Sequence, residues 1–143
     1  MTINRTGSAV WSGGLKDGRG KISTQSGALS DQPYGFAMRF EGTPGTNPEE
    51  LLGASHAGCF TMALSLILGE AGLTADELQT TAKVSLDQVD GGFAITKIHL
   101  TLKGRVPGTD EATFQKLATT AKQNCPISKV LNAEITLDAS LEG

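Results

Sequence analysis

Cys59 and Cys125 are the only two thiols in this chain of 143 residues, and their settings differ. Cys125 stands directly before Pro126 and the short run Ile127 to Leu131. That reads as a helix with proline at its first position and Cys125 as its cap. Backbone N–H groups and the helix dipole at such an end favour a thiolate. Cys59 lies in the middle of a long apolar stretch, where the dipole gives no help and burial raises a thiol pKa. A reactive Cys59 therefore needs a cation close by. Arg39, just upstream in an otherwise apolar segment, is the first candidate, and Arg19 is its rival. The plainer readings are that Arg39 faces water and that Cys59 is inert, packed as a small hydrophobe.

His56 and Cys59 form H-x-x-C on one helix face, and Cys125 and His99 could complete a metal site. The spacing is no zinc signature, and a histidine among small apolar residues is more often a satisfied core group. Two acids, Glu49 and Glu50, open the same stretch. Glu50, three residues after Asn47, fits a capping role. Glu49 has no such duty, although an acid in the first turn favours any helix.

These residues must be positioned by Asn47 to Gly69, NPEELLGASHAGCFTMALSLILG. Asn47 is a good N-cap and Pro48 suits the first helical position. Apolar side chains then occupy every face, the pattern of a helix buried on all sides. Its length is about 35 Å. That is marginal for a bilayer span, and Ser55, His56, Thr61 and Ser65 interrupt it. A core helix is the better reading. Gly53, Ala54, Ala57 and Gly58 make a stripe where another backbone can come close. A chain of this size can hardly cover so long a helix, and a second copy is its natural cover.

The remaining elements follow from alternation and turn residues. Thr6 to Trp11 and Gly20 to Thr24 read as a hairpin around Asp17-Gly18. Tyr34 to Phe40 alternates strictly, with Tyr34, Phe36, Met38 and Phe40 on one face, and reads as a strand. Leu78 to Val89 and Phe93 to Val106 flank the turn Asp90-Gly91-Gly92. A helix over Asp110 to Gln123 presents Phe114, Leu117 and Ala121, and Ala133 to Leu141 is the last strand. Antiparallel strand runs with segregated helices make an α+β fold, expected as one domain over residues 1–143. The net charge of −3 argues against a nucleic-acid partner. The opening MTINRTGSAVWSGG has no apolar run, so a cytoplasmic location is expected, and two cysteines make no disulfide framework.

NPEELL, the small-residue run, Cys59-Phe60 and the C-P-I-S-K-V-L segment at Cys125 together resemble the OsmC/Ohr family of thiol peroxidases. Q-P-Y-G-F, R-F-E-G and DGGFAITKI resemble its OsmC branch, and the likeness runs over essentially the whole chain. The resemblance implies an intertwined homodimer in which two long central helices are wrapped by antiparallel sheets. It implies reduction of hydroperoxides, organic ones preferred, in oxidative or osmotic stress, with no metal, haem or flavin cofactor. An external dithiol would be the reductant, with no nucleic acid or membrane as partner. Carried over by residue, Cys59 is the peroxidatic thiolate and Cys125 resolves it through a Cys59–Cys125 disulfide. Glu49 and Arg39 match the family's acid and its OsmC-type arginine. In the Ohr branch the arginine comes from the N-terminal hairpin, which here offers Arg19 and Lys16. An apolar pocket lined by Phe36, Met38 or Phe60 would favour alkyl hydroperoxides. A thiol redox sensor and a structural dimer with inert cysteines are the other two function classes.

Overall fold

Short alternating segments separated by glycine build the first strands. In the computed structural model, which describes residues 1–143, Gly7–Ser12 (β1), Arg19–Thr24 (β2) and Gln32–Tyr34 (β3) form an antiparallel sheet. Trp11 and Tyr34 lie with ring centroids 5.4 Å apart. They close over Gly20, where a Cβ would fall 2.3 Å from the Tyr34 ring, so only glycine fits there.

The strand expected over Tyr34 to Phe40 ends at Tyr34. The chain turns through Gly35 into one helical turn, Phe36–Phe40 (α1). The reason is legible afterwards. Apolar residues at i, i+2 and i+4 satisfy a strand, but the i and i+4 members also meet on a helix. Phe36 and Phe40 do so, with centroids 4.9 Å apart.

The long helix, Pro48–Glu70 (α2), opens as its sequence demands. Asn47 Oδ1 accepts from the Glu50 N–H at 2.8 Å, and the Glu50 carboxylate accepts from Asn47 Nδ2, a reciprocal cap. Its burial departs from expectation. Only the stripe Gly53, His56, Phe60, Leu64 and Leu68 is buried. On the opposite side Met62 is 77% and Leu66 65% exposed. By length and composition the helix could cross a membrane, but its buried stripe belongs to the protein core.

By its contacts the chain divides into two compact units, Met1–Leu51 and Leu52–Gly143. In the second, Glu77–Val89 (β4) and Gly92–Arg105 (β5) pair antiparallel. The register passes from Ser85↔Lys97 to Leu86↔Ile95, which leaves Thr96 as an extra residue. This bulge lets Ile95 and Ile98, which sit out of phase in sequence, share the inner face. The helices Glu111–Asn124 (α3) and Pro126–Val130 (α4) then return the chain to Glu134–Glu142 (β6). β6 runs parallel to β5, the one departure from antiparallel pairing, because a helical crossover carries the chain back toward the end where β5 begins and adds β6 on the edge opposite β4. Phe60, Leu64 and Leu68 of α2, Ile98, Leu100 and Leu102 of β5, and Phe114, Ala118 and Ala121 of α3 form one core. Gly104 leaves the space that the Phe114 ring fills, since a Cβ there would lie 2.6 Å from it. Phe114→Ala is expected to cost about 3–5 kcal/mol of stability, read as a lower urea midpoint at unchanged slope.

Candidate active site

Helix α2 carries Cys59 and the start of α4 carries Cys125, and packing in the second unit brings the two free thiols together with sulfurs 3.2 Å apart. Cys125 is fully buried. As its place before Pro126 predicts, it caps α4: the Ser128 N–H donates to its sulfur at 3.4 Å, and the Ser128 hydroxyl lies 3.6 Å away. Burial, the largest effect, pushes the Cys125 thiol up. The hydrogen bonds from Ser128, with those from Cys59 and Ile127, together outweigh it and bring the pKa below the ordinary thiol value. Cys59 goes the other way. Burial raises it, Cys125 raises it further, and the Ile127 N–H opposes them only in part.

Cys59 is only half-buried. It opens on a groove of about 620 Å³ lined by Met62, Ala63, Leu66, Ile67, Thr120 and Pro126, among others. Sequence reasoning missed these residues and named Phe60, which is wholly inside the core. The signal was available. Positions 62, 63, 66 and 67 are the i+3, i+4, i+7 and i+8 neighbours of Cys59, hence one helical face with it.

The candidate cation is placed by the first unit. Arg39, at the end of α1, donates from Nε at 2.9 Å and from Nη2 at 2.8 Å to a single oxygen, Glu49 Oε1. Glu49 is 12% exposed and Arg39 37%. Arg39 therefore does not simply face water, and Glu49 has a partner after all. The guanidinium also lies 5.4 Å from the Phe40 ring. Beside it Trp11, Tyr34, Phe36, Arg39 and Phe40 line a cavity of about 190 Å³. The rival Arg19 is exposed on β2, and Lys16 lies over the Phe36 ring at 5.8 Å.

The residues weighed as metal ligands are engaged otherwise. His56 is buried and pairs with Ser128. His99, on β5, pairs with Thr136 and Asp138. No three His, Cys, Asp or Glu side chains converge on a common point suited to a metal ion.

Residues 40–140 match the family model described as OsmC-like protein. The chain belongs to the OsmC family. It is 60% identical over 142 residues to the peroxiredoxin OsmC of Escherichia coli K12, covering 99% of each. It is 32% identical over 124 residues to the organic hydroperoxide resistance protein OhrB of Bacillus subtilis, covering 86% of this chain and 89% of that one. The crystal structure of that OhrB superposes with a TM-score of 0.68 at 30% identity, over 96% of this chain and 98% of the other. The α+β architecture is thus the OsmC/Ohr one.

Proposed function

We propose that Cys59 is the attacking thiolate and Cys125 the resolving thiol of a thiol-dependent peroxidase acting on organic hydroperoxides. One observation carries the assignment: Cys59 opens on an apolar groove, while Cys125 is fully buried with its sulfur 3.2 Å behind. Only Cys59 is open to a substrate, and only Cys125 is poised to reach its sulfur afterwards. The names of the E. coli and B. subtilis relatives, a peroxiredoxin and an organic hydroperoxide resistance protein, point the same way.

The Cys59 thiolate attacks one peroxide oxygen. The O–O bond breaks, the alkoxide leaves and takes a proton as alcohol, and Cys59 becomes a sulfenic acid. The Cys125 thiolate attacks that sulfur, the S–O bond breaks, hydroxide leaves as water, and the disulfide forms. An external dithiol reduces the bridge by two exchanges. The working form is a homodimer, because the apolar side chains of Met62 and Leu66 on the outer face of α2 otherwise stand exposed in water.

Within one chain the Cys59 thiol is pushed up, the wrong direction for a nucleophile, so a cation must be supplied. Arg39, held by Glu49, supplies it in the dimer. Arg39→Ala is expected to raise the Cys59 pKa by about one unit or more and to slow peroxide reduction, with Arg19→Ala changing neither. A thiolate titration against pH reads this, and the role passes to the hairpin if Arg19→Ala makes the shift instead.

The direct test is consumption of cumene hydroperoxide and of hydrogen peroxide by the purified protein with dithiothreitol. Each buried CH₂ is worth roughly 0.8 kcal/mol, so the organic peroxide should win a competition by roughly tenfold or more. A protein that consumes neither is a sensor or a structural dimer.

A further inference from the structure

The peroxidase reading leaves one buried ionisable group without a task. His56 is fully buried on α2, with Nε2 2.7 Å from Ser128 Oγ and Nδ1 without any hydrogen-bond partner. Ser128 Oγ in turn lies 3.6 Å from Cys125 Sγ. We infer that His56 is a positioning residue for the resolving thiol: its Nε2–H donates to Ser128 Oγ and so turns the Ser128 hydroxyl proton onto Cys125.

The tautomer follows from counting protons. Burial lowers the His56 pKa, so the ring is neutral and carries one N–H. Were that proton on Nδ1, a buried donor would have no acceptor, which is rare and costly. Nε2 would then accept the single Ser128 proton, and Cys125 would lose it. With the proton on Nε2, only a lone pair goes unmet, and the Ser128 proton is free to face the sulfur. The chain then runs in one direction, from His56 Nε2–H to Ser128 Oγ–H to Cys125 Sγ. The Ser128 N–H, at 3.4 Å, adds a second donor to the same sulfur.

Both halves of the cycle gain from this, on the reading that Cys125 resolves Cys59. In resolution, Cys125 attacks as a thiolate, its S–S bond forming as the Cys59 S–O bond breaks and hydroxide leaves as water. In reduction, an incoming thiolate attacks Cys59 and Cys125 leaves with the electron pair of the broken S–S bond. A leaving thiol of lower pKa departs faster.

The test is a titration of Cys125 as the sole thiol in Cys59→Ser protein. Ser128→Ala and His56→Phe should each raise its pKa by about one unit, a tenfold loss of thiolate at neutral pH. His56→Gln, which keeps an N–H, should restore much of the shift. In the Ser128→Ala background His56→Phe should add nothing, because the histidine acts only through the hydroxyl. With both cysteines present, disulfide formation after one equivalent of peroxide should slow about threefold in Ser128→Ala, since part of the lost thiolate is offset by greater nucleophilicity. The first step should not slow. An unchanged Cys125 pKa in Ser128→Ala overturns the inference, as does an equal His56→Phe shift with and without Ser128. If His56→Phe does not fold, Ser128→Ala and His56→Gln decide alone. The titration needs no peroxide, so a protein inactive as a peroxidase would sink the functional reading and leave this one to the titration.

Discussion

Cys59→Ser is expected to bring peroxide reduction down to the uncatalysed background, while Cys125→Ser still completes one turnover. A serine hydroxyl is no substitute for a thiolate in attacking an O–O bond. Without Cys125 the first step remains, but the Cys59 sulfenic acid persists and an external thiol must reach it directly. Trapping with dimedone after one equivalent of peroxide should label Cys125→Ser stoichiometrically and Cys59→Ser not at all. The contrast is a real one, because the electrostatics of the single chain point the other way. Hydrogen bonds hold the Cys125 pKa down, whereas burial pushes Cys59 up. If Cys125→Ser loses the first turnover and Cys59→Ser keeps it, thiolate population has won over access, and the roles are reversed.

A refolded mixture of Cys59→Ser and Glu49→Gln chains should recover about a quarter of wild-type activity where neither variant is active alone. Glu49 and Cys59 sit on one helix, Pro48–Glu70, separated by about 15 Å along its axis and roughly 80° around it. A carboxylate side chain cannot span that distance to serve its own thiol. If α2 packs antiparallel on its symmetry mate, the start of one helix lies beside the middle of the other. The Arg39–Glu49 pair of one chain then serves the Cys59 of its partner. Random pairing makes about half the dimers mixed, each with one site of two intact, hence the quarter. Mass spectrometry under native conditions verifies the mixing. A verified mixture that stays inactive would place Glu49 and Cys59 in the service of the same chain.

Local signals determined much of this protein before any folding. Asn47 and Glu50 mark the start of α2 because a cap is made by residues three apart. Cys125-Pro126 marks the start of α4 for the same reason. Alternation and the Asp90-Gly91-Gly92 turn define the β4–β5 hairpin, and the two cysteine motifs point to a thiol site. Where two local codes coincide, sequence could not choose: Phe36, Met38 and Phe40 fit a strand and a helix alike, and only the Phe36–Phe40 ring contact shows which prevails. The rest depends on contacts between residues far apart in the chain. Cys59 and Cys125 are 66 residues apart, and no spacing rule places their sulfurs together. His56 and Ser128 are 72 apart, so a histidine that reads as a bland core residue gains its direction only from the serine that packing brings to it. The parallel placement of β6 likewise depends on where α3 and α4 carry the chain. Caps, turns and apolar faces arise from interactions within a few residues, whereas a site arises from the packing of those faces against one another.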